Sequence, residues 1–246
     1  MSTDLHLRLP VVASLFLFIL SGCSGFQDFQ PRQEGQVYEQ EGGEDLGGEP
    51  PGVEIPIEEI PGMIAVKVQV YLYEFEAAPS FGATFSDQQV LEAFDVTNAI
   101  WQQAGIKFEI TDIQTKYVTA QEFPAGSELL GSQEIKPVLA RIAPPTTDSL
   151  TWKVAIIRKF NFGAAGLYMG GVGTAYYTEL NRQNETHYNI LAHELGHSLG
   201  LGHEEISGNL MGPSGDPSQA IQLSEQQIAT ARAQALIGPM SSVPPK

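Results

Sequence analysis

The stretch HELGHSLGLGH, residues 193–203, holds three of the five histidines in the chain. Successive residues of an α-helix are rotated by about 100°, so side chains four residues apart lie on one face. The stretch therefore predicts a helix that presents His193 and His197 side by side. Two imidazoles placed one turn apart can bind a single zinc ion, each at about 2.0–2.1 Å from the metal.

The third histidine, His203, can reach the same ion only if the helix ends before it. A residue six positions after His197 on an unbroken helix would point roughly 240° away. Gly200 is the predicted break, because glycine adopts the positive φ that ends a helix and reverses the chain. Three histidine ligands leave one coordination position open, which is typical of catalytic zinc. Glu194 adjoins the first ligand, so its carboxylate can reach a water activated by the metal without binding the metal itself.

The motif resembles the extended zinc motif of the metzincin metallopeptidases. The matching residues are His193, Glu194, His197, Gly200 and His203. NLMGP at 209–213 is similar to the methionine-bearing turn that metzincins carry beneath the metal. Its short separation from the third histidine resembles the matrixin branch, as does LSEQQI at 223–228. The resemblance implies that Met211 shapes the floor of the site and takes no part in bond-making.

The resemblance also implies a fold and a substrate site. The fold is a metzincin-like zincin domain of the α/β (α+β) class, with one mixed, mostly parallel sheet, an active-site helix and a C-terminal helix. GLYMGG at 166–171 is similar to the edge strand with which metzincins pair a bound peptide. We therefore expect Leu167, Tyr168, Met169 and Gly170 to bind substrate by strand addition.

Periodicity independently predicts a mixed α/β domain. Residues 64–73 alternate apolar and polar side chains, which is typical of a half-buried strand. Helices are predicted where a Ser-x-x-Gln capping box precedes a helical run, at 87–104 and 224–237. The glycine-rich residues 163–178 make a poor ordinary strand and favour an edge or a loop. The other predicted elements are strands at 106–113 and 152–160, a short helix at 133–142 and the zinc helix at 186–199.

The charge of the chain limits its partners and divides it into regions. A net charge of −16, with only 13 scattered lysines and arginines, argues against a nucleic-acid partner. Residues 24–62 carry ten acidic side chains and one arginine, and they are rich in Gly, Pro, Glu and Gln. Such a composition cannot bury enough apolar area to fold, so we predict a disordered tether. Residues 63–246 can form one domain, the predicted catalytic domain.

The N-terminus carries the features of an export signal. Residues 11–20 are apolar except for Ser14, a run too short to span a bilayer. LSGC at 20–23 resembles the lipobox of bacterial lipoproteins, which implies a signal peptide at 1–22, a lipidated Cys23 and a tether over 23–62. Ser24 favours sorting to the outer membrane, with membrane contact through the N-terminal lipid alone. An ordinary cleaved signal with an incidental cysteine is the alternative.

These features predict a zinc-dependent endopeptidase anchored in the bacterial cell envelope. We expect one zinc ion, a protein or peptide substrate and a monomer. Two alternatives stay open: a non-catalytic zinc-binding lipoprotein that binds or adheres, and a zinc amidase that acts on cell-wall amides. The matrixin resemblance allows a calcium ion, but Asp148 and Asp216 lack the spacing of a calcium loop. His187 lies about 240° around the helix from His193 and is expected to stay off the metal.

Overall fold

β1 (Ile64–Phe75) is an interior strand of the sheet. Its buried side chains divide between two faces, with Val66, Val68 and Val70 on one and Tyr71 and Tyr73 on the other. A strand with buried residues on both faces belongs inside a covered sheet. In agreement, β1 lies between two parallel neighbours. The computed structural model describes residues 62–146, 148–180, 188–212 and 221–240.

Within the described residues, four further strands complete a mixed sheet in the order β2-β1-β3-β5-β4. They are β2 (Ile106–Val118), β3 (Thr151–Ile157), β4 (Gly166–Met169) and β5 (Thr174–Thr178). The strands β2, β1, β3 and β5 run parallel, whereas β4 runs antiparallel to β5 and forms one edge. The prediction of one mixed, mostly parallel sheet is confirmed.

The described residues also form four α-helices: α1 (Asp87–Trp101), α2 (Ser132–Ile142), α3 (Asn189–Ser198) and α4 (Glu225–Ala235). Both predicted capping boxes are present, so α1 and α4 begin directly after Ser86 and Ser224. α2 continues through Pro137, because the burial of Ile135 and Leu139 against the sheet outweighs the loss of one helical hydrogen bond.

Several boundaries differ from the sequence prediction. α1 tightens into a 3-10 turn at 102–104. β2 runs past residue 113 to Val118 because β1 offers it partners over that length. β3 ends at Ile157, where its pairing with β5 ends. Residues 163–178 do not form a single edge or loop, since all five residues of β5 are buried inside the sheet. The predicted zinc helix begins at Asn189 in the structure, and residues 186 and 187 lie outside the described residues.

The sheet carries a hydrophobic core on each face. One core joins the sheet to α1, α3 and α4, and the other joins it to α2 and a group of aromatic rings. Leu191 and Leu195 of α3 are fully buried in the first core. α3 is therefore held firmly between α1 and the sheet, and only its outer face is available for chemistry. In the described part of the chain, no helix combines the length and the apolarity needed to cross a membrane.

Candidate metal centre

Two buried tryptophan side chains form hydrogen bonds with α3 and hold it in place. The indole N–H of Trp101 in α1 donates to the backbone carbonyl of Ala192 at 3.1 Å. The indole N–H of Trp152 in β3 donates to the hydroxyl of Ser198 at 2.9 Å. Each of these polar contacts joins residues distant in sequence, so no local pattern could have indicated them. Both ends of α3 are thus tied to its neighbours.

α3 ends in a Schellman motif at Gly200, which has a φ of +82°. The Gly200 N–H donates to the carbonyl of His197, and the Leu201 N–H donates to the carbonyl of Gly196, both at 3.0 Å. The chain reverses here and brings His203 back over α3. A Cβ added at Gly200 would lie 3.4 Å from its nearest neighbour, Sδ of Met240, which is an ordinary van der Waals distance. The positive φ therefore disfavours other residues at this position more than a lack of space does.

The reversal brings three imidazoles together. The possible ligand atoms of His193, His197 and His203 all lie within 4.8 Å of one another. The Nδ1 atom of His193 lies 2.7 Å from the carbonyl oxygen of Leu210. The Nδ1 atom of His197 lies 2.8 Å from the carbonyl oxygen of Leu201. A carbonyl can only accept, so both Nδ1 atoms carry the proton and Nε2 is left to bind a metal. This donor set suits zinc, and among the described residues it is the one such cluster of metal-binding side chains.

Burial also favours the neutral form of the imidazoles, which is the form that binds metal. Desolvation lowers the pKa of His197 to about 3, with the neighbouring His193 adding to the effect. Desolvation likewise lowers the pKa of His193 and of His203. Neutral imidazoles are the metal-binding form, so the cluster does not need to lose protons near neutral pH before it can bind a cation.

Glu194 lies next to the cluster and is almost fully enclosed, with 3% of its surface exposed. Burial raises the pKa of its carboxyl group to about 8, and a backbone hydrogen bond from Tyr168 acts in the opposite direction. A divalent cation held by the histidines would favour the charged carboxylate again. Gly166 of β4 packs against this side chain so closely that a Cβ there would lie 2.4 Å from Cγ of Glu194. The carboxyl group thus occupies space that only a glycine leaves free.

The methionine-bearing turn lies directly beneath α3. Met211 is fully buried, and a Cβ on Gly196 would lie 2.5 Å from its sulfur. Glycine at that position therefore lets the turn approach the helix. The side-chain oxygen of Asn209 accepts a hydrogen bond from the Met211 N–H at 2.8 Å and sets the shape of the turn. Pro213, the last residue of the predicted turn, lies outside the described residues.

The predicted substrate-binding residues divide between a strand and a turn. Leu167, Tyr168 and Met169 belong to β4, whereas Gly170 begins the 3-10 turn that follows it. The side chains of Leu167 and Met169 pack on the face of α2, and that of Tyr168 lies on the face of α3, where its hydroxyl donates to the carbonyl of Met240. The edge of β4 away from β5 has no strand partner in the described residues.

Several other polar or titratable residues lie apart from the cluster or outside the described residues. Glu204 and Glu205 are exposed, and neither belongs to the histidine cluster. Asp148 accepts hydrogen bonds from the Leu150 N–H and the Thr151 hydroxyl, both at 2.6 Å, and so closes a turn. Cys23, His187 and Asp216 lie outside the described residues.

Fold and site together define a class of protein. The sheet is mixed, and its antiparallel edge strand lies beside a helix that bears two histidines and a glutamate. This arrangement is that of a metzincin-like zinc peptidase. The model of the matrixin peptidase family matches residues 75–234, which is more than half of the chain. The chain therefore belongs to the matrixin family.

Among solved structures, the chain is similar to metalloproteinase-II from Bacteroides fragilis, with 13% identity, a TM-score of 0.43, and coverage of 70% of this chain and 53% of that chain. The chain thus spans about half of the Bacteroides protein. It is also similar to archaemetzincin from Methanopyrus kandleri, with 11% identity, a TM-score of 0.48, and coverage of 73% of this chain and 98% of that chain. No curated protein sequence matches the chain.

Proposed function

We propose that the protein is a zinc-dependent endopeptidase. The observation that carries the proposal is the convergence of three imidazoles, with ligand atoms within 4.8 Å of one another, beside the buried carboxyl group of Glu194. Membership of the matrixin family supports metallopeptidase activity and implies protein or peptide substrates.

His193, His197 and His203 would hold the zinc ion through Nε2. When bound, zinc would polarise the scissile carbonyl and lower the pKa of a water towards ~7. The carbonyls of Leu210 and Leu201 hold two of the imidazole rings in place, at 2.7 Å and 2.8 Å from Nδ1. These backbone contacts fix both the tautomer and the ring orientation, so little reorganisation is needed when the ion binds.

Glu194 would act as the general base and acid. Its carboxylate would accept a proton from the attacking water and deliver that proton to the leaving amine. The residue is enclosed by Gly166 of β4 and held on α3, so its position is set by two rigid elements. Enclosure also excludes bulk water, which strengthens the interaction of the carboxylate with a nearby positive charge.

The free edge of β4 would bind the substrate as an added strand. An extended peptide can pair its backbone with such an edge and place alternate side chains in pockets. Tyr168 stands at the centre of this edge, and its backbone also contacts Glu194. A peptide paired with β4 would therefore pass next to the catalytic carboxylate. Gly170 would contribute through the turn that follows the strand.

We also propose that Cys23 anchors the protein to the outer membrane through its lipid, with residues 23–62 as the tether. The support is the LSGC pattern and the acidic, glycine- and proline-rich composition after it. At the start of the described domain, the carbonyl of Gly62 accepts a hydrogen bond from Arg232 of α4 at 2.8 Å. The tether would therefore meet the domain at α4, beside the core that holds α3.

Peptide cleavage with controlled zinc content tests the proposed activity. The purified protein is incubated with a peptide library as isolated, after treatment with a chelator, and after zinc is restored, and the products are identified by mass spectrometry. We expect internal cleavage that is lost with the chelator and recovered with zinc. Hydrolysis of cell-wall amides alone would favour the amidase alternative. Zinc-loaded protein that cleaves nothing would favour the non-catalytic one.

A further inference from the structure

The two capping boxes of the chain differ in what their glutamines contact. In α1, Gln89 caps the Ser86 N–H at 3.0 Å and is exposed. In α4, Gln227 caps the Ser224 N–H at 2.9 Å but is buried, with 6% of its surface exposed. A helix cap alone does not require burial of a glutamine side chain. Gln227 therefore has a second role that Gln89 lacks.

That second role is a reciprocal pairing with Asn209 of the methionine-bearing turn. The Asn209 amide donates to Oε1 of Gln227 at 2.8 Å, and the Gln227 amide donates to Oδ1 of Asn209 at 3.1 Å. Asn209 is 5% exposed, and its Oδ1 also accepts the Met211 N–H at 2.8 Å. Buried amides that satisfy each other in this way fix one geometry, because any displacement leaves a polar group without a partner.

The turn that this pair holds contacts the ring of His193 and the backbone next to His203. The carbonyl of Leu210 accepts from Nδ1 of His193 at 2.7 Å. The carbonyl of Met211 accepts from the N–H of Glu204, the residue after His203, at 2.9 Å. Two successive carbonyls of one turn thus fix the orientation of the His193 ring and the position of the backbone next to His203. A shift of the turn would move both relative to His197.

We propose that the Asn209–Gln227 amide pair positions the zinc ligands His193 and His203 by fixing the turn between them, so that the capping box of α4 is also part of the support of the metal site. Asn209 and Gln227 are positioning residues, which act through the backbone of Leu210 and Met211. This inference rests on the proposed function, since it takes the three histidines to be zinc ligands.

The test compares matched substitutions in the two capping boxes. Gln227→Met and Gln89→Met each remove a capping amide and keep the length of the side chain. We expect zinc affinity, measured by competition with a chelator, to fall about 10- to 100-fold for Gln227→Met, the usual effect of losing an outer-shell contact, and to stay unchanged for Gln89→Met. Gln227→Glu keeps the acceptor for Asn209 and for the cap, so its loss should be smaller. Equal affinities of the Gln227→Met and Gln89→Met proteins would overturn the inference.

A double-mutant cycle separates the pair from its individual members. Asn209→Ala, Gln227→Met and the double variant are titrated with zinc under the same conditions. If the two residues act as one unit, the double variant should lose little more affinity than either single variant. Losses that simply multiply would show that the two residues act independently and would contradict the inference.

Hydrogen exchange in the metal-free protein provides a readout that does not depend on zinc. The Met211 N–H should exchange faster in Gln227→Met than in Gln89→Met, because its acceptor on Asn209 loses its own support. Unchanged exchange at Met211 would overturn the positioning role even if zinc affinity fell. A wild-type protein that binds no zinc would instead overturn the proposed function, and the metal-directed role of the pair with it. The two failures are therefore distinguishable.

Discussion

At the scale of single residues, the site depends on positions where a side chain is absent. Gly166 leaves room for Glu194, and Gly196 leaves room for Met211, with less than 3 Å between the missing Cβ and the neighbouring side chain in each case. Neither glycine has a positive φ in the structure, so close approach, and not backbone conformation, explains them. The three histidines and Glu194 could be predicted from the sequence as candidate site residues. The part that these two glycines play depends on a partner from a distant segment, which the sequence does not identify.

The first prediction concerns Glu194 as the base. Glu194→Gln keeps the size of the side chain and all three histidines, but the amide cannot accept a proton. We expect near-normal zinc content, measured by metal analysis, and a loss of turnover of at least ~10²-fold in the peptide assay. Turnover at the wild-type rate in a zinc-loaded variant would remove Glu194 from this role.

The second prediction concerns Gly166 as the residue that leaves space for Glu194. Gly166→Ala would place Cβ 2.4–2.7 Å from Cγ, Oε1 and Cδ of Glu194, so the carboxyl group must move. We expect turnover to fall by about 10²-fold, the effect of misplacing a catalytic group by about 1 Å. Zinc content should stay normal because the histidines are untouched.

The control for this prediction is Gly202→Ala, because a Cβ at Gly202 meets nothing within 4 Å. It should keep both zinc content and turnover. Equal turnover of the Gly166→Ala and Gly202→Ala proteins would mean that Glu194 tolerates the displacement and that its close packing against β4 has no bearing on catalysis.

At the scale of secondary-structure elements, local sequence patterns predicted most helices and strands. They did not predict the contacts between distant segments. The capping boxes and apolar spacing identified α1 and α4, and alternation identified β1, because these signals are local. β5 escaped detection because the glycines before it masked a short buried strand. The contacts of Trp152 with Ser198 and of Asn209 with Gln227 could not be predicted, since nothing local distinguishes the Gln227 box from the Gln89 box.

The third prediction concerns the end of α3. Gly200 has a φ of +82°, a conformation that costs other residues roughly 1–2 kcal/mol. Asparagine tolerates it best, and β-branched valine least. The expected order of zinc affinity is therefore wild type, Gly200→Asn, Gly200→Ala and Gly200→Val, ranked by titration against a competing chelator. The nearest atoms lie 3.4–3.8 Å from an added Cβ, so alanine fits the space and its effect reports conformation alone. Four equal affinities would show that His203 reaches the cluster without this reversal.

At the scale of the whole molecule, the proposed tether would separate the proposed lipid anchor from the folded domain. The ten acidic residues and one arginine of residues 24–62 give that stretch more than half of the net charge of −16. A flexible chain of this length has a mean reach of roughly 35 Å, which would hold the domain clear of a lipid surface. The proposed division of the chain therefore predicts that anchoring and catalysis can be altered separately.

The fourth prediction tests this separation. Cys23→Ser removes the single cysteine of the chain and thus the thiol that would be acylated. The variant should leave the membrane fraction, while its zinc content and its turnover per molecule remain those of the wild type. Fatty-acid labelling of the wild-type protein provides the control, since a wild-type protein that incorporates no label would identify the signal as an ordinary cleaved one.

The proposed activity depends on one zinc ion held by three histidines with a coordination position left open. X-ray diffraction from crystals of the zinc-loaded protein, recorded at the zinc absorption edge, measures this directly. We expect one zinc ion per chain, bound by Nε2 of His193, His197 and His203 at about 2.0–2.1 Å, with Glu194 close by but not coordinated. Coordination by Glu194, a fourth protein ligand that closes the site, or zinc bound away from these histidines would contradict the account.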